Sequence, residues 1–141
     1  MFSQTTEYAL RAVVWLAEQH SKPQTTRQIA ATTRVPAGYL SKVLQALGRA
    51  DLVKSQRGLY GGFKLTRPPG QISVLEVVNA VDPIQRIETC PLGLKSHGAE
   101  LCALHKRLDN AIAHIEKAFS TSNIADLLLE PSSKRPLRES E

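Results

Sequence analysis

A chain of 141 residues that is 42% hydrophobic but only 5% aromatic has room for one domain with an aliphatic core and at most one appended arm. It has no run of about 18 apolar residues, which excludes a membrane-spanning helix, and Glu7 precedes its first apolar positions with no basic leader, unlike a signal peptide. Its net charge of +5 is unevenly held: residues 21–70 carry nine basic side chains against the single acid Asp51, or +8, while the rest carries nine basic and twelve acidic, or −3.

The first predicted helix covers residues 3–20. Tyr8, Ala9, Ala12, Val13, Leu16 and Ala17 recur at threes and fours, with Ser3 or Thr5 as cap. Ser21-Lys22-Pro23 breaks it. A short second helix follows over 26–32, with Ile29 and Ala30 inward and Thr25 or Thr26 as N-cap. Arg34-Val35 turn the chain, and Pro36 fits the first turn of a third helix running to about Ala50. Its apolar stripe is Leu40, Val43, Leu44 and Leu47, leaving Tyr39, Lys42, Gln45, Gly48 and Arg49 mostly off it.

Short strands over 52–55 and 62–65 flank Gln56-Arg57-Gly58-Leu59-Tyr60-Gly61, whose glycines permit positive φ and close approach to a surface. After the turn over 67–70, Ser73 and Glu76 form a capping box for a fourth helix with Val74, Val77, Val78 and Val81 as its stripe. Asp82-Pro83 ends it. Residues 88–100 lack helical periodicity. A long helix then runs from about Leu101 to Ser120, and its Leu104, Leu108, Ala111, Ile115 and Ala118 follow the alternating spacing of a helix-pair seam. Residues 122–129 form a last short helix, and the polar tail over 131–141 is expected to be disordered.

Two short helices about a tight turn, then a hairpin with a basic tip, make a winged helix-turn-helix, so the expected fold is mainly α with a small β-hairpin and a long dimerisation helix. A recognition helix reads bases through its N-terminal side chains, here Ala37, Gly38, Tyr39, Ser41 and Lys42. Tyr39 suits a sugar or a thymine methyl. Ser41 can bond several bases, Lys42 reaches guanine or phosphate, and Gln45 reaches adenine if the helix lies flat in the groove. Thr26, opening the second helix, joins this DNA-facing set. The competing reading is a protein-interaction winged helix with solvated charges; the charge segregation favours a double-stranded DNA operator. No nucleophile–base pair, phosphate loop or zinc-hydrolase spacing is present, so no enzyme is expected.

Two cysteines without an export signal read as thiols or ligands in a reducing cytoplasm. Cys102 and His105, three apart at a helix start, share a face, and thiolates with imidazole suit iron–sulfur or zinc. Zinc would take Cys90, Cys102, His97 and His105. The alternatives are a regulatory Cys90–Cys102 disulfide and no cofactor at all, the thiols packing as small hydrophobes. Glu7 in a first helical turn also simply meets the helix dipole.

Over roughly residues 1–130 the chain resembles the bacterial winged-helix regulators that include IscR, NsrR and CymR. The anchors are Thr6-Glu7-Tyr8-Ala9-Leu10, Ile29-Ala30, Gly38-Tyr39-Leu40, Leu52-Val53, Arg57-Gly58 with Gly61-Gly62, Asp82, and Cys90 with Cys102-Ala103-Leu104-His105. The resemblance implies a homodimer whose long helices cross and whose wings meet adjacent half-sites. It implies transcriptional control, usually repression, tuned in many members by an iron–sulfur cluster and in others by thiols or a protein partner. It places Arg57 where the family inserts an arginine into the minor groove, reading groove width more than sequence.

For the cofactor the resemblance implies a [2Fe–2S] cluster on Cys90, Cys102 and His105, closed by Glu7 of the partner subunit or by His97. Members of the IscR type have a third cysteine where this chain has Ser96, and histidine can replace cysteine while raising the potential. Such a site suits a redox or nitric-oxide sensor. The organisation expected is a winged helix-turn-helix over 1–82, a cysteine-containing sensor loop over 83–101, dimerisation and C-terminal helices over 102–130, and the tail.

Overall fold

The computed structural model describes residues 2–98, 100–129 and 136–137. Helix α1 (Gln4–Glu18) is the centre of the core, because its inward residues are small: Ala9, Ala12 and Val13 are fully buried, and α2, α3, α4, α6 and β2 all pack on it. Ser3 is its cap, its hydroxyl accepting from the Thr6 amide at 3.2 Å. Helix α2 (Thr26–Thr33) starts from a reciprocal box in which Thr25 and Gln28 cap each other's backbone at 2.8 and 3.1 Å. Arg34 then takes the left-handed conformation, φ 57°, and its N–H closes on Ala30 at 2.9 Å, which turns the chain sharply into α3.

Helix α3 (Ala37–Arg49) begins one residue later than its sequence suggests. Pro36 is the N-cap, and its carbonyl accepts from Leu40 at 2.9 Å. The stripe Leu40, Val43, Leu44 and Leu47 is buried as expected. Strands β1 (Val53–Gln56) and β2 (Gly62–Leu65) pair antiparallel, Val53 opposite Leu65 and Gln56 opposite Gly62. β1 also starts one residue late, because Leu52 belongs to the core and its amide still bonds back to Leu47 at 3.0 Å. Gln24 bridges Phe63 beside the hairpin. Only glycine fits at Gly62, where φ is 147° and a Cβ would lie 2.5 Å from the Gln24 carbonyl.

Helix α4 (Val74–Val81) carries the expected Ser73–Glu76 box. Arg67 pairs with Glu76 at 3.0 Å and so ties the hairpin exit to α4. Burial works to raise the Glu76 carboxyl, but the Ser73 amide and Arg67 outweigh it and hold the group below its ordinary value. Helix α5 (Ala103–Ser120) leaves the core and buries no residue fully, whereas α6 (Ile124–Leu129) returns to it. The return is fixed by Val74 donating to Ser122 at 2.8 Å and Ile124 donating to Ile72 at 2.9 Å, with Ile124 fully buried. Residues 83–120 are thus an excursion from a core that both ends of the chain build. Of the tail expected to be disordered, all but Pro136 and Leu137 lies outside the described residues; those two form a turn, and Leu137 packs against the core. No helix among the described residues is long and apolar enough to cross a membrane.

Candidate nucleic-acid interface and cysteine segment

Burying Leu40, Val43, Leu44 and Leu47 turns the opposite face of α3 outward, so Gly38, Tyr39, Ser41, Lys42 and Gln45 are all exposed. The Tyr39 ring, 56% exposed, leans on Tyr8 at 6.0 Å between centroids, and the Arg11 guanidinium lies over Tyr8 at 5.6 Å. That stack props Tyr39 outward. Ser41 donates its hydroxyl proton to the Ala37 carbonyl at 3.2 Å, so it presents acceptor lone pairs to a ligand. A Cβ at Gly38 would meet nothing within 4 Å. Glycine costs a helix about 1 kcal/mol relative to alanine, and nothing in this chain's packing requires it there; a surface approaching the helix would. Thr26 is half-buried beside the true cap, Thr25.

The wing tip between Gln56 and Gly62 holds Arg57, exposed, and two side chains that sequence reasoning passed over as turn filler. Leu59 is 90% exposed and Tyr60 84%. On the hairpin stem Lys54 stands directly opposite Lys64. Among the described residues Lys42, Lys54, Arg57 and Lys64 form no ion pair, in contrast to Arg11, Arg67 and Arg86.

Of the proposed cluster ligands, the fold brings together Cys102 and His105, whose Sγ and Nδ1 lie 3.3 Å apart at the start of α5. Local helix geometry is enough to place them. Cys90 and Cys102 are free and half-buried. His97 sits in a single 3-10 turn, and its buried Nδ1 has no partner among the described residues. Glu7 is engaged by Arg11 of its own helix at 3.0 Å. Among the described residues no three His, Cys, Asp or Glu side chains gather as a metal site.

One contact invisible in the sequence fastens this region. Arg86 donates through Nε and a terminal nitrogen to both oxygens of Asp109, each at 2.8 Å, and the Ile87 amide donates to the same carboxylate at 2.9 Å. Glu116 lies 3.5 Å from the guanidinium. The Arg86 hydrogen bond, then the Ile87 amide, draw the Asp109 carboxyl down to about 2. A depressed carboxylate adds stability above its unfolded value near 3.9, lost as pH falls through the folded one. The clamp is therefore complete near neutrality and opens only between about pH 4 and pH 2. Asp109→Asn should speed hydrogen exchange at the Ile87 amide by roughly an order of magnitude at neutral pH, since it removes a charge-assisted acceptor. Exchange at Ile87 unchanged in that variant would show that the clamp does not hold the segment.

Comparison with known proteins agrees with this architecture. The family model Rrf2, described as an iron-dependent transcriptional regulator, matches residues 2–130. The chain is 29% identical over 138 residues to the HTH-type transcriptional regulator NsrR of Geobacillus kaustophilus, covering 94% of this chain and 92% of that one. It is 29% identical over 141 residues to NsrR of Shouchella clausii, covering 94% and 91%. Among solved structures, CymR, the global cysteine regulator of B. subtilis, superposes with a TM-score of 0.76 at 26% identity over 90% of this chain and 95% of that one. IscR of T. potens shares the fold, with a TM-score of 0.77 at 24% identity over 94% and 89%. These relatives are transcriptional regulators rather than enzymes, and this chain belongs to the Rrf2 family of transcriptional regulators.

Proposed function

We propose that this chain is a homodimeric, sequence-specific DNA-binding repressor. One observation carries the reading: Lys42 on the outward face of α3 and Arg57, Lys54 and Lys64 on the wing are cations without ion-pair partners among the described residues, all within the +8 segment. A polyanion supplies the missing partners, and Tyr39, Ser41 and Gln45 beside Lys42 supply base-reading groups. The homodimer is supported by α5, whose Leu104 and Leu108 are 61% and 47% exposed on one seam. The test is fluorescence anisotropy on a duplex selected from a random pool by the protein, repeated across salt concentrations. Affinity should fall steeply with salt, with a logarithmic slope of about −0.9 for each phosphate neutralised. Salt-insensitive or absent binding would favour a winged helix that regulates a protein partner without touching DNA.

The signal is proposed to enter through the segment from Cys90 to His105. Thiolates and imidazole have the right chemistry for a [2Fe–2S] cluster, and Cys90, Cys102 and His105, with Glu7 of the partner subunit or His97, are the residues that would hold one. Within one chain these donors do not fit a four-ligand site, because only Cys102 and His105 touch and this chain's Glu7 is held by Arg11. A second reading is that the Cys90 and Cys102 thiols, both free and half-buried, respond to oxidants without a metal. Under either chemistry, operator affinity should differ between anaerobic and oxidised protein by roughly tenfold, and Cys90→Ala or Cys102→Ala should abolish that difference. Iron and acid-labile sulfide in anaerobically prepared protein separate the chemistries, with Glu7→Ala and His97→Ala reporting the fourth ligand. Zinc without sulfide would mark the closed tetrahedral alternative. A wild-type affinity indifferent to oxidation would remove the segment from signalling.

A further inference from the structure

We propose that the wing tip is an apolar wedge: Leu59 and Tyr60 enter the minor groove beside Arg57 and partly unstack a base step, bending the operator. The proposal rests on the DNA-binding reading and adds a deformation that reading does not require.

The tip is built to display these two side chains. The Gly61 N–H donates to the Gly58 carbonyl at 3.0 Å, closing a four-residue turn whose corners are Leu59 and Tyr60. Gly58 has φ 116°, and a Cβ on Gly61 would strike the Gln56 carbonyl oxygen, so both glycines are needed for the shape. One exposed leucine on a protein surface needs no explanation. Here the two most exposed large apolar side chains among the described residues are adjacent, at 90% and 84%, at the end of a fixed hairpin.

The charges around the tip select its occupant. Arg57 is next to the turn, and Lys54 faces Lys64 across the stem, a like-charge pair that is unfavourable in isolation and relieved by phosphates. The same module offers the hydrogen-bonding face of α3, which a lipid surface would leave unused and a base edge would not. A minor groove is about 6 Å wide, admitting a two-residue tip. Proteins that push leucine or aromatic side chains between base steps kink the duplex toward the major groove, most cheaply at flexible pyrimidine–purine steps.

The experiment uses the whole 141-residue chain and a duplex selected from a random pool by the wild type, with 2-aminopurine substituted in turn at each adenine and dyes at the two ends. The wild type should give a several-fold fluorescence rise at a step beneath each wing and bring the ends closer in energy transfer. The Leu59→Ser, Tyr60→Ser double variant should bind roughly tenfold more weakly and give neither signal, with an unchanged thermal midpoint because both side chains are almost fully exposed. Tyr60→Phe should keep both signals, since the wedge is apolar. A wild-type complex in which every 2-aminopurine stays quenched and the duplex stays straight overturns the wedge while leaving DNA binding intact, and so does a double variant that keeps both signals. Failure to bind any selected duplex defeats the wedge together with the DNA-binding reading. Sedimentation of the wild type, but not the double variant, with phosphatidylserine vesicles and no unstacking on DNA assigns the tip to a membrane surface instead.

Discussion

Replacing Lys42 and Arg57 together by alanine should lower operator affinity by at least about a hundredfold and flatten its salt dependence, without unfolding the protein. The fold tolerates both changes because neither side chain is part of the core. Lys42 is exposed beside the buried Val43, and Arg57 stands in the wing tip with no ion pair among the described residues. The two should fail differently when changed singly. On the proposed reading Lys42 contacts phosphate or guanine from α3, so its loss should weaken binding and reduce the salt slope by about one unit if the contact is phosphate. If Arg57 reads groove width, as the family resemblance implies, its loss should be felt most on operators with A-tracts under the wing. Anisotropy titrations at two salt concentrations, with the thermal midpoint as control, make the measurement. Undiminished affinity in the double variant would move the DNA face elsewhere on the molecule.

What could be read from the sequence was whatever depends on neighbours along the chain. The α1 periodicity, the Ser73–Glu76 box and the α3 stripe are local, and each is where it was expected. Among the element starts that moved, those at Pro36 and Leu52 did so because a cap or a core contact outweighed the local pattern. The Cys102–His105 contact was legible because three residues at a helix start fix it. The contact between Arg86 and Asp109 was not, being 23 residues apart in sequence with no periodic signature. Nor was the docking of α6 on Ile72 and Val74, which only tertiary packing decides. Leu59 and Tyr60 looked like ordinary turn residues, and their exposure becomes visible only when the hairpin is seen to hold them clear of everything else. The assembly of Cys90, His97 and Glu7 into any one site depends on a loop conformation and a second subunit, neither of which spacing encodes.

The wild-type chain should sediment as a dimer at micromolar concentration, and Leu108→Asp should sediment as a monomer. Helix α5 extends from the core with no fully buried residue, and its Leu104, Leu108, Ala111 and Ala118 are exposed along one stripe. Ile115, on the same stripe, is half-buried against its own chain near Phe2 and Ile84, so a charge there would damage the subunit as well as the seam. Leu108, 47% exposed, isolates the seam. A buried carboxylate without a partner costs about 3–5 kcal/mol, and the twofold pairing introduces it twice. The dimer constant should therefore weaken by at least about three orders of magnitude. Operator affinity should fall with it, by about a hundredfold or more, because the second half-site then has to recruit its own subunit from solution. Circular dichroism of the variant should match the wild type, since Leu108 is exposed and no fully buried core residue lies on α5. A Leu108→Asp protein that stays dimeric places the interface off this seam, and a monomeric one that keeps full operator affinity shows that one wing and one α3 suffice.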